Sequence, residues 1–262
     1  MKQVAITAAL EAGKILKENF GKIVNTQIDV KQKFDFVTFV DQNSEKTIIS
    51  IIREQYPDHK FYAEETARDD KAEYRWIIDP LDGTTNYIHG FPGFSISIAL
   101  EHNQEVVLGV IYDPMREELF VAEKGKGATL NGNPVHVSDI EDPAKSLLTT
   151  GFPFRIKEHL DLYLQAFKLL FMQVSGIRRL GSAALDLSYL ACGRCEGFWE
   201  IGLSPWDIAA GYLLVKEAGG KVTDFAGNDC PIWTGNVVAS NVLCHKFMLD
   251  IIKKVFKGRI DK

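Results

Sequence analysis

Asp79 and Asp82 stand three apart at the end of the apolar run Trp76-Ile77-Ile78, with Pro80 and Leu81 between them and Gly83-Thr84-Thr85-Asn86 directly after. Glu64 and Glu65 close the short run before it, Asp41 lies upstream, and Asp207 lies far downstream. Any one of these acids alone reads as a solvated turn residue or a helix cap. Gathered at one spot they would repel one another unless hard cations sat among them, and an oxygen-only donor set favours magnesium, manganese or calcium over zinc. In Asp79-Pro80-Leu81-Asp82 both carboxylates can face one point across a tight turn, and the Leu81 carbonyl offers a further hard oxygen. Pro80 stiffens that turn and Gly83 lets the backbone approach a ligand closely. The residues that follow read as a helix start, whose free N–H groups and threonine hydroxyls suit an anion. Cations and a phosphate would then be held side by side. Asp207 sits in a second helix start, with Ser204 as N-cap, Pro205 at N1 and Asp207 at N3. Capping alone would account for it, and only its company with the first motif points it toward a metal.

The elements that must position these residues can be read from periodicity. Val4, Ala5, Ala8, Ala9, Ala12, Ile15 and Leu16 have helical spacing, as do Ile48, Ile49, Ile51 and Ile52 in the stretch 43–56, which Tyr56-Pro57 closes. Short strand-like runs follow at 60–65 and 74–80, and 94–100 pairs with 106–112 across a polar turn as a hairpin. Another strand and a glycine-rich turn cover 118–137, so the first half, 1–142, reads as a helix pair followed by an antiparallel meander. Within it, Gly125-Lys126-Gly127 invites a phosphate-loop reading, but its place after a strand favours a hairpin turn. From 143 to 262 helices and strands alternate, which suggests an α/β lobe carrying Asp207, and no repeat or long linker separates the halves. One compact body is expected.

The 262 residues are 46% hydrophobic and 25% charged, enough for a sizeable core. A net charge of -5 gives no broad basic surface, so non-specific nucleic-acid binding is not expected. The N-terminal apolar residues are interrupted by charges, unlike a signal segment, and no stretch is long enough to span a bilayer; the chain reads as cytoplasmic and without a membrane partner. Cys192, Cys195, Cys230 and Cys244 fit reduced thiols, and the lone Cys192-x-x-Cys195 pair receives no role. The sequence lacks a P-loop, a G-x-S-x-G elbow, a D-x-D-x-T loop and a C-x5-R loop, so four other hydrolase chemistries lack their central residues.

The stretches WIIDPLDGTTNYIHGFP (76–92), FYAEE (61–65) and WDIAAGYLLVKEAGG (206–220) resemble the three signature segments of the inositol monophosphatase family, in order and over nearly the whole chain. That resemblance implies a layered α-β-α-β-α sandwich of mixed α+β and α/β character. It implies a Mg2+-dependent, lithium-sensitive phosphomonoesterase with two to three ions, for which Mn2+ can substitute, and a homodimer. Carried over by position, Glu64, Asp79 and the Leu81 carbonyl would hold a first ion, and Asp79, Asp82 and Asp207 a second. Glu65 would stand behind the cluster as an accessory catalytic group. Gly83 and Thr84 would bind phosphate through their N–H groups, and the Thr84 hydroxyl with Asp41 would orient or deprotonate the attacking water. Asp82, Asp207, Ala183 and Glu200 would line the substrate side, Glu200 accepting from sugar or cyclitol hydroxyls. Either Lys31 or Lys33 would fill the place of a lysine that many relatives carry before the segment 35–41.

The implied reaction is hydrolysis of a polyol phosphate monoester such as myo-inositol 1-phosphate. The alternatives are fructose 1,6-bisphosphate, histidinol phosphate, NADP or a 3'-phosphoadenosine nucleotide on the same scaffold, a regulatory protein associated with transcription, and a calcium-binding structural module. Arg178 and Arg179 could meet a second phosphate or a neighbouring subunit's acid, and His89 reads equally well as a structural residue beside the site.

Overall fold

The computed structural model describes residues 1–22, 28–32, 35–67, 71–153, 156–229 and 231–260, with the backbone alone for 28–32 and 35–37. Helix α1 (Lys2–Asn19) buries Ala5, Ala8, Ala9, Ala12 and Leu16. This stripe of small residues lets it pack closely on α2 (Phe39–Gln55). Between them lies the antiparallel pair β1 (Ile28–Gln32) and β2 (Asp35–Thr38). The α2 helix begins at Phe39 rather than near Asn43 because Thr38 and Asp41 form a capping box: the Thr38 hydroxyl accepts from the Val40 N–H, and Asp41 accepts from the Thr38 N–H. The readings of Lys31 and Lys33 lie outside the described residues.

Seven strands form the first sheet in chain order: β3 (Lys60–Ala63), β4 (Tyr74–Asp82), β5 (Ser95–His102), β6 (Glu105–Asp113), β7 (Glu118–Glu123), β8 (Ala128–Leu130) and β9 (Asn133–Val135). From β4 onward it is the expected antiparallel meander, but β3 pairs with β4 in parallel, Ala63 opposite Ile78. The connection over 64–73 is longer than a hairpin turn, so the chain returns to start β4 beside the start of β3. Parallel pairing has a direct consequence: both strands end at the same edge, and Glu64 arrives beside Asp79.

The second sheet has five strands in the order β11 (Gly176–Arg178), β10 (Leu147–Thr150), β12 (Gly197–Glu200), β14 (Val237–Ser240), β13 (Lys221–Thr223). It is mixed, with β10 parallel to both neighbours and β14 antiparallel to both of its own. The sequence reading did not anticipate β10, whose Leu-Leu-Thr-Thr has no alternation.

Helices α5 (Ala183–Ala191) and α6 (Pro205–Glu217) fill the space between the sheets. The α6 helix is apolar nearly all round from Ile208 to Val215, as a helix covered on every side must be. A Cβ at Gly109 of β6 would stand 2.7 Å from the Ala210 carbonyl oxygen, so glycine there sets how closely α6 can approach. Strand alternation sorts the cores: Ile77 and Ala99 face α5 and α6, Trp76, Ile78 and Ile98 face α1 and α2, and Trp199 and Val238 face α4 (Leu160–Phe171) and α7 (His245–Phe256). The architecture is the expected α-β-α-β-α sandwich.

Gly125 and Gly127 do form a hairpin turn between β7 and β8. Both of their N–H groups donate to the Glu217 carboxylate at 2.8 Å, which leaves neither free for an anion. Cys192, Cys195 and Cys244 are free thiols. Among the described residues no helix is long and apolar enough to cross a membrane.

Candidate active site

The edge where β3 and β4 end faces the starts of α5 and α6 and the end of β12, around a cavity of about 90 Å³. Helix α3 (Thr84–Ile88) begins at the same place. Asp79 and Asp82 do not flank a turn beyond the strand; they belong to β4, which carries a bulge between them, Asp79 opposite Ser97 and Asp82 opposite Ser95. In a regular strand residues i and i+3 point to opposite faces, and one extra residue brings them to the same face. Pro80, which has no N–H to donate, suits the bulge, and the Ser44 hydroxyl pins it by donating to the Pro80 carbonyl at 2.8 Å.

Asp79, Asp82 and Asp207 present carboxylate oxygens that all lie within 4.8 Å of one another. They are only 2%, 9% and 6% exposed. Like charges at that separation repel by roughly 4 kcal/mol per pair at an effective dielectric of about 20. Burial first, then Glu64, Asp82 and Asp207, pushes the Asp79 carboxyl well above its ordinary range. Such a donor set, hard and purely oxygen, fits a divalent cation. The Leu81 carbonyl and Glu64 line the same cavity, with Glu64 outside the tight trio. Asp207 also keeps its capping role, accepting from the Ser204 N–H at 2.7 Å.

On the phosphate side, Gly83 is the N-cap of α3 with φ +100°, and the first turn of that helix leaves N–H groups without intrahelical acceptors. The Thr84 hydroxyl is 3.1 Å from both Asp41 Oδ1 and the Leu81 carbonyl oxygen, either of which can accept its proton. Asp41, fully buried, accepts from the Thr38 N–H and hydroxyl through its other oxygen. Burial raises its pKa to about 6, partly offset by those hydrogen bonds.

Ala183 and Glu200 line the same cavity. Burial, and next to it the charge of Asp186, hold the Glu200 carboxyl well above its usual range. Glu65 does not line the cavity; its N–H donates to Glu45 Oε2 at 2.8 Å, which anchors the turn carrying Glu64. His89 is exposed at the end of α3, and of the two arginines only Arg179 reaches the cavity.

Several functional neighbours escaped the sequence reading. Ser182 donates to Asp82 Oδ2 at 2.6 Å and the Ala184 N–H donates to the same oxygen at 2.8 Å, so the start of α5 orients an acid of β4. Asn86 bridges the Gly93 and Leu180 carbonyls at 2.6 and 2.8 Å, locking α3 against the loop before α5. The only local signal was their presence in DGTTN and LGSAAL. All but the Asn86–Gly93 contact join residues about a hundred positions apart, which no spacing rule reveals.

Comparison with known proteins agrees with this geometry. Residues 1–257 match the inositol monophosphatase family. The chain is 44% identical to "Nus factor SuhB" of Pseudomonas aeruginosa, covering 97% of this chain and 96% of that protein. It is 41% identical to "Inositol-1-monophosphatase" of Mesorhizobium japonicum, covering 98% and 97%. Its fold superposes on the inositol monophosphatase of Anabaena (Nostoc) with a TM-score of 0.87 at 42% identity, covering 97% of this chain and 95% of that one. With a buried acidic trio beside a helix start and a match across both sheets, the chain belongs to the inositol monophosphatase family, whose members are metal-dependent phosphoric monoester hydrolases.

Proposed function

We propose that this chain hydrolyses the phosphate monoester of a polyol, with myo-inositol 1-phosphate as substrate. The observation that carries the reading is the trio Asp79, Asp82 and Asp207 beside the Gly83-Thr84 helix start, with Glu200 lining the same cavity. Glu64, Asp79 and the Leu81 carbonyl would hold one Mg2+, and Asp79, Asp82 and Asp207 a second. When bound, the ions supply positive charge that lowers the pKa of water and offsets charge building on the phosphoryl oxygens. The chain contributes the rest. Gly83 and Thr84 N–H groups receive the phosphate, and the Thr84 hydroxyl orients the attacking water. As the water loses its proton to Thr84 Oγ1, the Thr84 proton passes to Asp41. The phosphoryl group moves in line from the alcohol to water, and the alcohol oxygen leaves with a proton from solvent.

A base with a pKa of about 6 works only when ionised, so kcat should fall as pH drops through about 6. Asn at position 41 keeps an acceptor for the Thr38 N–H while removing the base. Asp41→Asn should therefore lose about a hundredfold in kcat and its acidic limb together, as a pH–rate profile would show; an unchanged limb assigns it elsewhere. Glu200→Gln should raise KM for the polyol ester several-fold with a smaller change in kcat, and an unchanged KM would remove Glu200 from the pocket's recognition.

Phosphate release from myo-inositol 1-phosphate, fructose 1,6-bisphosphate, histidinol phosphate, NADP and a 3'-phosphoadenosine nucleotide tests the substrate. Preference for the inositol ester supports the proposal, and preference for any other member replaces it. A second reading, association with the transcription machinery, draws on the relatives called Nus factor; co-purification with RNA polymerase from cells tests it. A homodimer is part of the proposal too, supported by exposed Leu160, Leu164 and Phe171 on one face of α4 and testable by sedimentation. A cytoplasmic location is consistent with the free thiols.

A further inference from the structure

Asp186 is the acid in the cavity wall that neither the cation site nor the phosphate cradle uses. It lies in the first turn of α5, is 1% exposed and lines the cavity with Glu200. Among the described residues its Oδ1 is buried and makes no hydrogen bond of good geometry; the neighbouring Thr149 hydroxyl, itself without a partner there, comes near enough to favour the ionised form, as does the charge of Arg179. It also stands outside the trio whose oxygens cluster within 4.8 Å. A buried carboxylate with an oxygen left unpaired is destabilising, and an apolar residue of the same shape would normally replace it at a gain. Its cost is explained if a ligand supplies the missing donors.

We propose that Asp186 is a specificity-determining residue, forming with Glu200 a two-carboxylate wall that accepts hydroxyl donors of the substrate's alcohol. This rests on the phosphomonoesterase reading above and deepens it. Carboxyl oxygens accept hydrogen bonds whether or not the group is ionised, so two such groups lining one cavity match a molecule with hydroxyls on adjacent carbons. An alcohol with no hydroxyl beyond the esterified one gains nothing from them. Burial, and less so the charge of Asp82, raise the Asp186 pKa against the opposing pull of the Thr149 hydroxyl and Arg179, and a carboxyl that kept its proton would still accept at its other oxygen.

The test compares wild type, Asp186→Leu and Asp186→Asn on myo-inositol 1-phosphate and on p-nitrophenyl phosphate, whose leaving group has no further hydroxyl, together with Tm. Asp186→Leu should raise KM for the inositol ester about tenfold, the loss of one such hydrogen bond. It should leave the aryl ester within about twofold and keep or raise Tm. Asp186→Asn, which retains an acceptor, should recover most of the KM. An unchanged KM for the inositol ester overturns the proposal. So does a fall in Tm with equal losses on both esters, which would make Asp186 a structural partner of Thr149. Wild-type protein that hydrolyses neither ester overturns the phosphomonoesterase reading itself, and this inference with it.

Discussion

Asp79→Asn should abolish phosphate release, by about a thousandfold or more, in a protein that stays folded. Asp79 is the one side chain assigned to both cation positions, and it is flanked by Glu64, Asp82 and Asp207. The substitution keeps the shape and the oxygen that accepts from the Leu81 N–H at 2.9 Å, so the bulge survives. What goes is charge. Because the folded state raises the Asp79 pKa, its ionised form opposes folding at pH values above the ordinary carboxylate range. In chelator, Asp79→Asn should therefore melt above wild type at neutral pH. In Mg2+ the order should reverse, since cation binding stabilises the wild-type fold by mass action and the variant binds more weakly. Thermal melts in both conditions with kcat alongside check the pair of effects. Near-normal turnover would remove Asp79 from the chemistry.

Gly83→Ala should be the most damaging single-methyl change at the site. At φ +100° an L side chain is strained by roughly 1–2 kcal/mol. The added Cβ would also meet the Gly93 carbonyl at 2.9 Å, the Gly181 carbonyl at 3.1 Å and Phe94 Cβ at 3.2 Å. Those contacts belong to the loop before β5 and the loop before α5, each fixed by Asn86, so relief requires both to move. Moving them shifts the Gly83 and Thr84 N–H groups. The expected result is about 2–3 kcal/mol lost in urea unfolding and about a hundredfold lost in kcat/KM. Destabilisation with wild-type kcat/KM would separate this turn from phosphate binding.

Much of the site was readable in the chain because its pieces are local. Asp79-Pro-Leu-Asp82-Gly-Thr-Thr holds the paired acids and the helix start in one stretch, and Ser204-Pro-Trp-Asp207 announces its own helix. The stretch 94–100 alternates cleanly, its apolar partner 106–112 follows across a polar turn, and the two fall where β5 and β6 lie. What escaped is non-local or masked by a stronger local pattern. Asp79 and Asp82 read as a turn because proline and glycine punctuate them, whereas the strand continues through a bulge that pairing with β5 alone reveals. β3 reads as one strand of a meander, and its parallel direction comes from partner choice rather than from its four residues. The start of α2 hides in Thr38-Phe-Val-Asp41, since apolar Phe39 and Val40 look like more strand. Ser182, Asn86 and Asp186 carry no motif of their own, and only folding brings α5 against β4 and β12.

The central claim is that buried acids here hold cations for phosphate-ester hydrolysis, and the most direct measurement is the rate of phosphate release from myo-inositol 1-phosphate by wild-type protein as Mg2+ is titrated after chelation. The account predicts no turnover in chelator and a saturable rise with Mg2+. Turnover in chelator equal to that in Mg2+ would contradict it.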